Sequence, residues 1–130
     1  MAPPEPGTVV VRTRVFSQEE FDRFAVLSGD DNPIHVDPEY AATTWFERPV
    51  AHGMLLYSAL CGLLCEAFPG TTQAEQHLMF PRPTFTGEEM TLRAEVIGVS
   101  DGRADVAVEI TNTAGEATLS GECVLKWEAS

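Results

Sequence analysis

The chain reads as an α+β domain with its helices packed on one face of an antiparallel sheet. Three observations in the sequence lead there. Helix signals fill the first half and strand-like runs the second. Met54 to Phe68 is almost wholly apolar, and at about 15 residues it falls short of the roughly 20 that a bilayer crossing needs, so it belongs in a core. Asp101-Gly102 and Ala114-Gly115 supply turns between the last three runs, as in a meander.

Each element has its own warrant. Thr8 to Val15 alternates as a strand. Ser17 followed by Glu20 has the form of a capping box, and Phe21, Phe24, Ala25 and Leu27 then recur as one apolar helical face. Gly29 is placed to end that helix. Pro33 disfavours helical geometry at Asn32 and is expected to keep the chain extended where His35 is presented. Asp37-Pro38 reads as the cap and first residue of a second helix. The apolar helix follows Gly53 and stops before Pro69-Gly70. Gln76 to Phe85, Met90 to Val99, Asp105 to Asn112 and Ala117 to Trp127 read as four more strands. Residues 1–7, with Ala2-Pro3-Pro4-Glu5-Pro6, are expected to form a loose tail, and 8–130 a single domain. No charged-then-apolar segment at the start suggests secretion.

Composition excludes some function classes. With 20 acidic and 8 basic residues the formal net charge is −12, which argues against binding nucleic acid or an anionic membrane. Three cysteines, an odd number, suit a reducing cytoplasm without structural disulfides. Cys61 and Cys65 lie on one helical face and Cys123 in the last strand, a spacing that suits core packing better than a metal site.

Chemistry concentrates in Ser28-Gly29-Asp30-Asp31-Asn32-Pro33-Ile34-His35-Val36-Asp37. A carboxylate and an imidazole in one rigid loop, Asp30 and His35, can converge on a water molecule and move its protons. Residue type alone leaves a second reading open, in which Asp30, Asn32 and Asp37 are turn and cap formers and His35 is a surface histidine. Further on, Val50-Ala51-His52-Gly53 leads into the apolar helix. A helix N-terminus offers unpaired N–H groups and partial positive charge, and Gly53 lets a ligand oxygen approach the backbone closely. His52 is read as a structural histidine bonded to the loop, with proton transfer as its other reading. His77 has no assigned role. His35, Asp37 and His52 could in principle ligate a metal.

The loop from Ser28 to Asp37, then Phe46 to Pro49, then Ala51-His52-Gly53-Met54-Leu55, resembles the MaoC-like (R)-specific enoyl-CoA hydratases in residue type and order. Phe80 to Glu88 is similar to that family's later strand-and-turn segment, so the likeness runs over nearly the whole chain. The combination of Gly-Asp-x-Asn-Pro-Ile-His with His-Gly-Met is far more specific than either half.

The resemblance implies a hot-dog fold: a long central apolar helix wrapped by a curved antiparallel five-stranded sheet, with an overhanging loop-helix segment carrying the active site. It implies a homodimer or higher homo-oligomer. It also implies hydration of a trans-2-enoyl thioester to the (3R)-hydroxyacyl thioester, or the reverse. Asp30 and His35 would hold the water, Asn32 would order the loop, and the backbone N–H of Gly53 would bind the thioester carbonyl as it gains enolate character. No metal, nicotinamide or flavin is called for, and the small-molecule partner is an acyl thioester. Tyr57, Leu60, Cys61 and Leu64 follow the helix start at helical spacing as candidates to line the acyl pocket. Arg48, Arg82 and Arg93 are candidates to meet the CoA phosphates. Two other classes share these features: a dehydratase acting on carrier-bound 3-hydroxyacyl groups, and a non-catalytic module that binds acyl thioesters. Thioester hydrolysis on this fold would not explain the pairing of loop and helix.

Overall fold

A computed structural model describes residues 2–128. Strand β1 (Val9–Val15) comes first, then helices α1 (Gln18–Ser28), α2 (Pro33–Val36), α3 (Pro38–Ala42) and α4 (Gly53–Ala67). Four strands follow: β2 (Thr72–Met79), β3 (Glu89–Ser100), β4 (Arg103–Thr111) and β5 (Ala117–Lys126). All pair antiparallel in one sheet of order β1-β3-β4-β5-β2, so the last three form the expected meander.

The sheet closes on α4 because its inward phase is apolar. Met90, Leu92, Ala94 and Val96 of β3 and Ala104, Val106, Val108 and Ile110 of β4 are buried at every second position. They meet Leu56, Leu60, Leu63 and Leu64 of α4 in one core. Burying each such leucine contributes roughly 1.5–3 kcal/mol. At Gly121 of β5 an added Cβ would collide with the carbonyl of His77 across the β2 pairing, so glycine is what lets that edge strand approach. Among the described residues no helix is long and apolar enough to cross a membrane.

The structure departs from the sequence reading at several points. β2 starts at Thr72 and stops at Met79 instead of running from Gln76 to Phe85. Its first half is polar, joined to β5 by the strand ladder and to α4 by the Gln73 side chain, which hides it from hydropathy. Beyond Met79, Pro81 and Pro83 have no N–H for a ladder, and only the isolated Val50–Phe85 bridge remains. Residues 33–36 form a helical turn, not an extended segment. Pro33 does hold Asn32 out of the helical region, at φ −53° and ψ 130°, but that is the geometry of an N-cap, and Asn32 accepts the Ile34 N–H at 3.1 Å. The restriction therefore starts a helix and carries His35 inside it. Leu27 is exposed. It lies six residues beyond Phe21, about 240° round the helix, while Phe21 and Ala25 share the buried stripe. The segment ahead of β1 is tied down: Pro4 is buried, and the Gly7 N–H donates to the Val96 carbonyl at 2.8 Å.

Candidate active site

The site is built where α1 ends. Ser17 and Glu20 form the capping box that starts α1, and Gly29, at φ 81°, closes it with its N–H on the Ala25 carbonyl at 2.9 Å. The chain then passes through Asp30 to the two short helices, each started by its own side-chain cap. Asp37 accepts from the N–H groups of Glu39 and Tyr40 at 3.0 and 3.2 Å, so it serves α3 and is no part of a metal set with the histidines. The Gln18 amide donates to the His35 carbonyl at 2.8 Å and ties α2 back to α1.

These anchors fix two imidazoles. The Nδ1–H of His35 donates to the Val50 carbonyl at 2.7 Å, which leaves Nε2 as the ring's acceptor. That nitrogen lies 3.8 Å from Oδ2 of Asp30, too far for a hydrogen bond. A water oxygen about 2.8 Å from each would fit between them and donate one proton to each. His52 lies beneath, its ring stacked on His35 with centroids 3.8 Å apart and Phe24 edge-on at 4.9 Å. Its Nε2–H donates to the Asp30 carbonyl at 2.8 Å, which pins the loop to the start of α4. Burial pushes the His52 imidazole below its usual pKa, and proximity to His35 adds to this against the pull of the Asp30 carbonyl. His52 is thus held as a neutral spacer. Its Nδ1 has no partner among the described residues.

Asp30, His35 and His52 each present one potential ligand atom within 4.8 Å of the others. The donors of both rings are already committed to carbonyls. What remains is the half-exposed carboxylate and the two acceptor ring nitrogens, and because His52 Nδ1 is buried the carboxylate and His35 Nε2 are the pair placed to share a water.

The other side of the Val50–Gly53 segment faces a cavity of about 490 Å³. Gly53 and Leu56 of α4, Trp45 and Phe46, and the Phe80 to Thr84 stretch wall it, together with Thr118 of β5. Gly53 begins α4 with no side-chain cap, and the first backbone bonds of the helix are those of the Leu55 and Leu56 N–H groups to the His52 carbonyl. Its own N–H is among those a helix start leaves unpaired. The Phe80 ring lies over Gly53, where an added Cβ would approach it to 3.0 Å.

The other candidates divide. Of the expected pocket residues, Leu60 and Leu64 are fully buried in the core and do not reach the cavity. They share a stripe with Leu56, but only the first turn of α4 meets the opening. Tyr57 and Cys61 turn toward β2, where the phenol and thiol both donate to Oε1 of Gln73, at 2.7 and 3.0 Å. Burial, with the Cys61 contact next, raises the Tyr57 pKa, and burial pushes the Cys123 thiol up to about 11. Arg48 stacks on Phe85 at 4.2 Å. Arg93 points to the face of β3 opposite the core and pairs with Glu95 at 2.9 Å, so it is remote from the cavity. Only Arg82 of the three arginines lines the cavity, where Glu116 holds it at 3.1 Å. Trp45, Phe80, Thr84 and Thr118 were not foreseen as wall residues. No local signal in the sequence marks them, because they come from separate segments that meet only in the fold.

A five-stranded sheet wrapped on one apolar helix, with a carboxylate–imidazole loop hung over the helix start, is a hot-dog domain. The family profile described as MaoC like domain matches residues 2–118, and the chain belongs to that family. It is 40% identical over 126 residues to an (R)-specific enoyl-CoA hydratase of Aeromonas caviae, covering 94% of each chain. It is 34% identical to a mitochondrial 3-hydroxyacyl-[acyl-carrier-protein] dehydratase of Arabidopsis thaliana, across 81% of this chain and 63% of that protein. Among solved structures, the (R)-hydratase from A. caviae involved in PHA biosynthesis superposes with a TM-score of 0.91 at 38% identity, over 95% of this chain and 97% of that one. The R-hydratase PhaJ1 from Pseudomonas aeruginosa does so with a TM-score of 0.91 at 32% identity, over 98% and 84%.

Proposed function

We propose that this protein is a hydro-lyase that adds water to trans-2-enoyl-CoA to give (3R)-hydroxyacyl-CoA, or runs the reverse dehydration. The observation that carries the reading is the 3.8 Å gap between His35 Nε2 and Asp30 Oδ2, both acceptors for one water, close to the start of α4. The named activities of the relatives support it.

In this reading the water donates its two protons to the carboxylate and the imidazole and keeps a lone pair free for the β-carbon. As the C–O bond forms, one acceptor takes the water's proton. The thioester carbonyl gains negative charge, which the Gly53 N–H and the positive end of α4 stabilise. A proton from the pair then reaches the α-carbon and the pair returns to its starting state. Asn32 holds the turn that aims His35, and His52 spaces the rings. The balance is one water consumed, its O–H bond and the α,β C=C π bond broken, and one C–O and one C–H bond made, with no call for a metal or redox cofactor. Arg82 is the arginine placed to meet a phosphate near the cavity.

The protein is further proposed to work as a homodimer in the cytoplasm. Three free thiols suit a reducing compartment. The outer edge of β2 is unpaired within the sheet, which suits a second copy. The carrier-linked dehydratase is the second reading, favoured by the identity with the Arabidopsis protein.

The test is loss of enoyl-thioester absorbance when the purified protein meets crotonyl-CoA and a longer trans-2-enoyl-CoA, with product chirality determined. The expected result is a (3R)-alcohol formed at a rate that Asp30→Asn abolishes. Turnover only with carrier-linked substrates would select the second reading, and none with either would leave a binding module.

A further inference from the structure

We infer that Gln18 is a positioning residue of the acid–base pair: it pins the far end of the active-site loop to α1 and so holds His35 at its working distance from Asp30. The inference rests on the reading of the protein as a hydro-lyase that works through that pair.

The loop is strung along α1. Gly29 closes the helix and hands over to Asp30, whose N–H donates to Oγ of Ser28 at 3.1 Å and whose carbonyl accepts from His52 at 2.8 Å. The chain then doubles back, and the His35 carbonyl accepts at 2.8 Å from the side-chain amide of Gln18, the first residue of α1. Both ends of the loop are thus fixed to one helix of 11 residues. Such a helix is a rigid spacer about 16 Å long.

α2 depends on these ties. It spans only Pro33–Val36, and a helix of one turn has no stability of its own. On the α4 side it is held by the His35 ring on the Val50 carbonyl at 2.7 Å and by the Val50 N–H on the Ile34 carbonyl at 3.2 Å. Among the described residues its one hydrogen bond to α1 is the Gln18 amide. A single bond at the ring would let His35 pivot, and the bond at its backbone carbonyl supplies the second fixed point. The 3.8 Å gap from Nε2 to Oδ2 of Asp30, which one water spans, needs both.

The amide is retained for its donor half. Its Nε2 donates to the His35 carbonyl and, at 3.0 Å, to Oδ1 of Asp22 one turn along, which uses both hydrogens and fixes the way the amide faces. Its Oε1 is buried with no hydrogen-bond partner among the described residues. An orphan acceptor of this kind costs stability, and a methionine would fill the same shape without it. Gln18 is not among the residues that wall the cavity, so its effect falls on the geometry of the reaction and not on substrate contact.

The experiment compares the parent protein with Gln18→Met, which keeps the length and loses the donor, and Gln18→Lys, which keeps a donor. Turnover is measured on crotonyl-CoA and on the same acyl group linked to a carrier protein, and the His35 ring is followed by nitrogen NMR in histidine-labelled protein at about pH 8, where an imidazole is neutral. In Gln18→Met, kcat is expected to fall about tenfold to a hundredfold with KM little changed, the scale of a small misplacement of a reacting group. The two ring-nitrogen signals of His35, held apart in the parent by the bond to Val50, are expected to move together as the tautomers exchange. Gln18→Lys is expected to keep most of the parent's kcat and its ring signals. Unchanged kcat in Gln18→Met, a loss of kcat with unmoved ring signals, or a Gln18→Lys variant no better than Gln18→Met would overturn the proposal. A parent with no turnover on either thioester would instead remove the hydro-lyase reading, and the ring signals would then decide by themselves whether Gln18 positions His35.

Discussion

The two sides of the Val50–Gly53 segment are built on opposite terms. On the His35 side the groups that set ring orientation are paired with backbone carbonyls at 2.7 and 2.8 Å, and three capped helix starts hold the loop. On the cavity side the wall is mostly apolar, with the Phe80 ring laid over Gly53. The first side is organised before any ligand arrives, as the proposed proton-transfer role requires. The second offers shape and mostly apolar surface. The proposed roles put the reaction chemistry on one side and substrate contact on the other, so substitutions on the two sides should fail in different ways.

The largest effects belong to the organised side. Asp30→Asn and His35→Ala are each expected to lower kcat by about 10²–10⁴-fold, the usual worth of a positioned acid or base. The Asp30 carboxylate is half exposed, and the His35 ring makes one carbonyl bond, so folding should be little changed. Circular dichroism beside the absorbance assay checks both points. A variant that keeps most of its activity would move the chemistry elsewhere.

Gly53→Ala comes next and probes where the sides meet. The added methyl would press on Phe80 at 3.0 Å and crowd the N–H proposed to hold the carbonyl. A loss of about tenfold to a hundredfold in kcat/KM is expected, the scale of a small misplacement of substrate. Adding Phe80→Ala should recover part of it if the steric account holds, and no recovery would assign the loss to the backbone itself.

The same contrast explains what the sequence disclosed. Asp30, Asn32 and His35 lie within six consecutive residues, and their caps and turns are local, so their chemistry can be read along the chain. The strand alternation of β3 and β4 and the apolar run of α4 are equally local signals, and they predicted the core. The cavity wall draws on residues from Trp45 to Thr118, and the bulge that turns Thr118 inward exists only once β4 and β5 pair. Local periodicity carries no trace of that register shift. Likewise Tyr57 and Cys61 follow Gly53 at plausible spacing, yet Gln73 on β2 draws both away from the opening.

A smaller effect tests His52 as a neutral spacer. Because burial lowers its pKa, the folded protein binds that proton more weakly than the unfolded chain does. Its contribution to stability is complete above the ordinary imidazole pKa of 6.5 and falls as the pH drops below it. The slope from this one group cannot exceed about 1.4 kcal/mol per pH unit. Urea midpoints at several pH values between 5 and 7.5 should decline toward the acid end in the parent and decline less in His52→Gln. Equal slopes would mean that His52 is not the group that resists charging.

The smallest expected effect is none at all, on chelation. Asp30, His35 and His52 bring three potential ligand atoms within 4.8 Å, which taken alone suits a metal as well as a water. The two readings make different demands on His52. A metal needs its Nδ1, which is buried beneath the stacked His35 ring, while a water needs only the Asp30 carboxylate and His35 Nε2. Exhaustive dialysis against EDTA is therefore expected to leave kcat unchanged. Loss of activity that added zinc restores would merge the two rings into one ligand set, and His52 would then belong to the chemistry instead of its support.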